Sequence, residues 1–494
     1  MSRSSPARLR SLNSQLSTLS LSPLLTIARA ELRLHLRRRG FWLLLGLFAA
    51  LIIAAGTLNR VRQVRERSDQ QTFQQLVRAQ WEGQPDRHPH RVAHYGTFAF
   101  KPPGPLAAFD PGVESFAGRV QYLEAHRQNA ANFPAAGELS SAFRLGELSL
   151  AFVLQTVLPL IVIVLGCRTF VDEIESGRFR LFAGQGVSAR TLAFGKLLGL
   201  VAATVPFLLF GLGAVLLAAG TDPAFHRDPT ALARTAVIAA ALALHTGAWL
   251  GLTVWISARS RTAARACAAL VSLWLLGSVL VPRLAAVVAE ARHPLPDKSS
   301  FTAAVVAATK QHGDTHDPND PHFARFRAET LARYGVTRIE DLPVNYAAIV
   351  MARGEELSAE TFAEHFAALG ATMEAQAALL DRASLVAPFL AVRALSSAAA
   401  GTDLRAQLQF QREAETYRYG FVQRLNQLHR DEIRQANDKD QKLAAERWKE
   451  FPDFRAAPLP LRAALAGTGL AWLALLLWAA LPLAALVRKK EWAA

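Results

Sequence analysis

The densest group of metal-ligating side chains in the 494-residue chain is the stretch HGDTHDPNDPH, with His312, Asp314, His316, Asp317, Asp320 and His322. Imidazole and carboxylate groups held together suit a divalent cation. Pro318 and Pro321 interrupt the stretch, however, and a polar loop accounts for it without a metal. His312, His316 and His322 are therefore weak metal candidates, and neither a metal nor another cofactor is expected. His88 and His90 of an HPH triplet, together with His94, rank below them. His245 lies inside an apolar run, where an ionisable side chain is a functional candidate. A neutral His bonded to a neighbouring helix is the simpler reading.

Motifs for covalent or hydrolytic chemistry are missing. The nearest approach to a phosphate-binding loop is GVSARTLAFGKL, Gly186 to Leu197. Its spacing is wrong, and Leu197 stands where the loop needs a hydroxyl. Neither HExxH nor GxSxG occurs. The chain is expected not to be an enzyme by itself, and any nucleotide hydrolysis it depends on must come from another subunit.

The elements that would position these residues are mostly apolar. Hydrophobic residues make up 51% of the chain and charged ones only 19%, and the apolar residues come in long runs. About 20 apolar residues in helical form cross the hydrocarbon core. Six runs qualify: 41–58, 148–166, 194–219, 233–256, 264–284 and 463–487. A cleaved signal peptide does not account for the first, because the polar tail before it is too long. Basic residues collect beside alternate ends of the runs. Arg29, Arg33, Arg37, Arg38 and Arg39 precede the first; Arg168, Arg178, Arg180, Arg190 and Lys196 lie around the junction of the second and third. Arg259, Arg261 and Arg265 separate the fourth and fifth, and Arg488, Lys489 and Lys490 follow the sixth. The positive-inside rule places all four groups, and both termini, in the cytoplasm. The expected fold is an all-α membrane protein with six transmembrane helices and two large, mainly helical exoplasmic insertions, 59–147 and 285–462. The cytoplasmic parts are then 1–40, 167–193 and 488–494. The net charge of +15 fits an anionic membrane surface rather than nucleic acid.

Within the insertions, Phe410, Ala414, Tyr417, Phe421 and Leu425 or Leu428 keep helical spacing, as do Phe362, Phe366, Leu369 and Met373. The run KPPGPLAAFDPG reads as a loop. Cys167 and Cys267 are not an obvious pair. Gly195 and Gly199, and Gly247 and Gly251, have the spacing of close helix contacts. Pro159, Pro206, Pro282 and Pro482 fall inside apolar runs and are candidate kinks.

One segment carries a family resemblance. FVDEIESGRFRLFAGQGVSARTLAFGKLLG, Phe170 to Gly199, has an acidic pair, a glycine, a mixed basic and apolar stretch, and a Ser/Arg turn into Gly-Lys and the next span. Glu173, Glu175, Gly177, Arg180, Ser188, Arg190, Gly195 and Lys196 carry the pattern, which resembles the cytoplasmic segment of ABC type-2 transporter permeases. Phe179 stands where Thr is commoner, and Gln185-Gly186 where a Pro often stands. Segments 387–421 and 88–112 look like the outer regions of a permease subfamily with large exoplasmic insertions. The resemblance implies an exporter permease of the bacterial inner membrane. Its partners would be a cytoplasmic ABC ATPase subunit, a second permease subunit and membrane lipid, with no nucleic acid. It implies that Glu173, Glu175, Gly177, Arg178, Phe179, Arg180, Phe182 and Arg190 couple the chain to the ATPase, and that 27–39 is an amphipathic connecting helix. A membrane-anchored sensor or assembly factor with an outer binding domain is the alternative reading.

Overall fold

The computed structural model describes residues 21–130, 148–314, 317 and 320–488. Lys489, Lys490 and His316 of the sequence expectations lie outside these residues. Among the described residues, six helices are long and apolar enough to cross a membrane: Arg39–Glu82, Leu150–Glu175, Ala189–Gly220, Ala231–Ser257, Ala263–Arg292 and Gly469–Val487. That is the make-up of a multi-pass membrane protein, and each helix falls on one of the apolar runs.

Their ends depart from the sequence expectation where helix propensity outlasts hydrophobicity. Arg39–Glu82 is one helix of 44 residues. At 1.5 Å per residue it is about twice as long as the hydrocarbon core is thick. Its polar second half, rich in Gln, Arg and Glu, continues into the first polar segment. The sixth span begins later than the apolar run, after Gly467, which adopts φ +83°. Two prolines mark breaks in helical register. A π turn, Val153–Val157, precedes Pro159, and another, Leu276–Leu280, precedes Pro282. Proline lacks the N–H that would bond one turn back, so the ladder slips at that point. Pro206 and Pro482 sit inside helices that continue through them. The thiols of Cys167 and Cys267 are both free, and they meet side chain to side chain.

The two polar segments pack into one body. In the second, Tyr346–Ala383 lies against Leu404–Glu432. Phe410, Ala414, Phe421 and Leu425 are buried, as their spacing predicts, and Tyr417 is half-buried. Phe362, Phe366, Leu369 and Met373 are only half-covered, with Phe301 edge-on to Phe366. The first segment is not wholly helical. A three-stranded antiparallel sheet runs β1 (Thr97–Phe100), β2 (Val120–Glu124), β3 (Arg127–Gln128) in that order. The strand sequences TFAF and VQYLE are rich in aromatic and β-branched residues, and VQYLE alternates half-buried and buried positions. Lys101 to Gly112 forms the expected irregular connection between the strands. Trp81, Val92, Ala93 and Ala125 of the first segment share a core with Phe421, Leu425, Trp448 and Phe451 of the second.

Polar contacts help fasten this body to the spans. Pro388–Ala400 packs between the fourth and sixth spans and contributes Leu395 and Ala399 to their core. Arg234, 1% exposed at the start of the fourth span, bonds Asp228 at 2.7 Å and donates to the Ala399 carbonyl at 3.2 Å. Ser396 donates to buried Asp110 of the first segment.

Inside the body, Arg418 Nη1 meets Glu355 Oε1 at 2.5 Å, and both side chains are buried. Arg418 also bonds Glu415 at 2.7 Å and the Glu124 carbonyl at 3.1 Å. Burial alone would raise the Glu355 pKa, but His126 and Arg418 outweigh it and hold the carboxyl below its ordinary range. A depressed carboxylate pKa contributes stability that is fully present above the unfolded value of about 4.3 and is lost as pH falls through the folded value. Unfolding of this body, followed by Trp fluorescence, should therefore set in only below about pH 4.3. Glu355→Gln should cost roughly 3–5 kcal/mol at neutral pH, because Arg418 stays buried with one partner lost.

Candidate functional site

The segment between the second and third spans folds as a doubled-back pair of short helices. Val171–Glu175 continues from the second span, and Arg178–Gly184 follows after two residues. Gly177 between them adopts φ +71°, a left-handed conformation that side chains with a Cβ resist. No atom lies near its absent Cβ, so the requirement there is conformational rather than steric. Ser188 then caps the third-span helix, its Oγ accepting from Thr191 N at 3.1 Å.

A buried ion network holds this pair in place. Lys196 Nζ, about two turns into the third-span helix, is 2.9 Å from Glu31 Oε2 and 2.9 Å from Glu173 Oε1. The other oxygen of Glu173 takes Arg178 Nε at 2.7 Å. Lys196, Glu173 and Glu31 are 3%, 5% and 7% exposed. Nearer the surface, Asp172 bridges Arg168 at 2.9 Å and Arg38 at 3.2 Å. Three elements are thereby tied together: the Leu21–Arg37 helix, the end of the second span and the start of the third. Glu173 holds the Arg178 guanidinium in its charged form. His35, 3.7 Å from Glu31, has its pKa pushed down by burial despite that carboxylate.

The Leu21–Arg37 helix reaches Lys196 because two glycines let it come close. A Cβ on Gly195 would stand 2.8 Å from Ile27 Cβ, and one on Gly199 would stand 2.5 Å from Glu31 Cβ. This first glycine pair therefore has the close helix contact that its spacing suggests. In the second pair, Gly247 faces open space and Gly251 has Pro482 Cβ at 3.2 Å.

The sequence-derived coupling residues divide into inward and outward groups. Glu173 and Arg178 join the network. Phe179 and Phe182 are half-buried against the chain's own span core. Glu175 is exposed, 3.8 Å from Arg168. Arg180 is exposed, and Arg190 is half-buried on the first turn of the third-span helix. The outward apolar contact falls to Leu181, 67% exposed. Sequence reasoning missed Glu31 altogether. Its signal was present: Glu31 is the one acidic residue between Leu21 and Gly40, among five arginines. A cleft of about 510 Å³ opens beside the network, walled by Arg38, Asp172, Arg178 and Lys196.

The remaining candidates are placed elsewhere. His245 is buried, with Nε2 3.1 Å from the Gln155 carbonyl on the second span, so it bridges two helices. His312 Nε2 pairs with Thr361 Oγ1 at 2.9 Å, and His322 Nδ1 with Asp320 at 2.7 Å. Among the described residues of that loop no metal-binding group forms.

A family model described as a domain of unknown function (DUF3526) matches residues 302–457. That stretch is the greater part of the second polar segment and contains Tyr346–Ala383, Pro388–Ala400 and Leu404–Glu432. No curated protein matches the chain.

Removing the central cation should expose what the network carries. Lys196→Met would leave Glu31 and Glu173 buried without it, at a cost of roughly 3–5 kcal/mol. Thermal unfolding in detergent should show a clear drop for Lys196→Met. The triple change Glu31→Gln, Lys196→Met, Glu173→Gln should recover much of it, since no unpaired buried charge remains there.

Proposed function

We propose that this chain is the membrane-spanning subunit of an ATP-driven exporter, and that Arg178–Gly184 receives the stroke of a separate ATPase. The observation that carries the reading is the pairing of an exposed apolar and basic face with a rigid attachment. Arg180 and Leu181 point outward, while Glu173, Lys196 and Glu31 fix the base of the same segment to the third span and to the Leu21–Arg37 helix. A push on the short helix is not absorbed locally, because the ions behind it are buried and saturated. It is passed to two spans and an interfacial helix together.

The arginine distribution puts this segment in the cytoplasm and the fused outer body on the far side. The absence of a phosphate-binding motif in the sequence assigns ATP hydrolysis to a partner. Only 6% of the apolar window of Ala263–Arg292 is buried, which leaves that face for lipid and for a second permease subunit. The outer body, tied to the fourth and sixth spans through Arg234 and Pro388–Ala400, would move with them and handle cargo on release.

In vesicles containing the chain and its ATPase, Leu181→Ala should leave the thermal unfolding midpoint unchanged. It should raise the ATPase concentration needed for half-maximal stimulation by roughly 10- to 30-fold, equivalent to about 2 kcal/mol for an exposed anchor at an interface. Phe182→Ala, which opens the chain's own packing, should lower the unfolding midpoint as well. Unchanged stimulation by Leu181→Ala would reduce the segment to an orienting loop.

A further inference from the structure

The outer body carries a second arrangement of chemically active side chains, unrelated to the segment between the spans. His90 and His94 lie one turn apart on the short helix Pro89–Tyr95. Pro89, Val92 and Ala93 of that helix are buried, Val92 and Ala93 in the core shared with Phe421 and Leu425, so the two imidazoles stand on the opposite face. Their Nε2 atoms are 3.2 Å apart. The third member, His126, is brought in by the sheet. It occupies the two-residue connection between β2 and β3, and its ring centroid lies 5.3 Å from that of His94 and 6.0 Å from that of His90. The ligand nitrogens of all three lie within 4.8 Å of one another.

Two features of His126 go beyond proximity. It is the one residue other than glycine with positive φ among those described, at +60°. Gly, Asn or Asp ordinarily takes such a position in a tight connection, so a His there is held at a conformational cost. Its orientation is also fixed from behind. His126 Nδ1 is 3.0 Å from Glu355 Oε2, and its backbone N–H donates to the same oxygen at 2.9 Å. Glu355 is 0% exposed and is itself anchored by Arg418. An ionised carboxylate only accepts, so Nδ1 donates to it and Nε2 is the ring nitrogen with the chemistry of a metal ligand. A carboxylate behind a ring N–H is the usual support of a metal-binding imidazole.

A neighbouring group shows the contrast. His88, His429 and Asp438 also converge, but Asp438 Oδ1 already takes His429 Nε2 at 2.6 Å and Asn345 Nδ2 at 2.5 Å. His88 Nδ1 caps the short helix by accepting from His90 N. The carboxylate of that group is therefore already engaged by His429 and Asn345.

We propose that His90, His94 and His126 bind one divalent transition-metal ion on the outer body, with Glu355 as the positioning residue for His126. Nitrogen-to-metal bonds of about 2.05 Å across a 3.2 Å separation subtend about 103°, close to tetrahedral. The third nitrogen has at most about 1.5 Å to close, within reach of side-chain rotation by the exposed His94. A ligand set of imidazoles alone selects Zn²⁺, Cu²⁺ or Ni²⁺ over Ca²⁺ or Mg²⁺. Three protein ligands leave a fourth position for water or a small anionic ligand.

The test uses the full-length protein in detergent, titrated with Zn²⁺ against a chromophoric chelator. One equivalent should bind saturably. His94→Gln and His126→Asn should each weaken binding by at least about tenfold, and His312→Gln should leave it unchanged. His126→Asn suits the left-handed backbone and keeps a side-chain donor for Glu355, so its unfolding midpoint without metal should match or exceed the parent's. Should that variant fold poorly, the exposed position His94 decides alone. Absence of one-equivalent binding, or binding that survives His94→Gln, overturns the proposal.

Discussion

Lys196 sits between two carboxylates in a place where all three charges are largely withdrawn from water, and the arrangement of the surrounding helices follows from that. An isolated ammonium buried this deeply would cost several kcal/mol, so Glu31 and Glu173 must both be present. Each carboxylate arrives on a different element. The Leu21–Arg37 helix can deliver Glu31 only because Gly195 and Gly199 allow it against the third span. Glu173 is delivered by the turn after the second span, and its second oxygen recruits Arg178. The short helix that follows is thus anchored at its first residue and open along its outer face.

The far end of the molecule repeats the same logic with different residues. Arg234 is buried with Asp228 and reaches the carbonyl that ends Pro388–Ala400. Arg418 is buried between Glu355 and Glu415. In each case one long cationic side chain satisfies groups from separate parts of the sequence, and its removal would leave buried charge rather than a simple gap. The spans and the polar body are therefore coupled through buried hydrogen bonds such as that of Arg234 to the Ala399 carbonyl as well as through apolar contact.

The sequence made some of this legible and hid the rest for physical reasons. The six apolar runs are long-range compositional signals, and the structure places a helix on each. The face of Leu404–Glu432 was readable from Phe410 to Leu425, because helical periodicity depends on local spacing alone. The ends of Arg39–Glu82 were not, since a helix can continue long after its hydrophobic stretch stops. The short sheet was missed because β1 and β2 are only four and five residues long. Of the segment between the second and third spans, the residue types were legible and the roles were not. Gly177, Glu173 and Arg178 stand together in sequence, but Glu31 lies 165 positions from Lys196, and only folding brings them into contact. The histidines show the same limit: the loop richest in His and Asp forms no three-ligand group among its described residues, whereas His126 joins His90 and His94 from a different element.

The central claim is that the outward face of Arg178–Gly184 docks on an ATP-hydrolysing subunit. A photoreactive amino acid placed at Leu181 in the native membrane reads this directly. The account predicts a crosslinked product containing a nucleotide-binding protein, diminished when the Lys196–Glu173 anchor is removed by Lys196→Met. A label that attaches only to lipid, or to the permease itself, would contradict it.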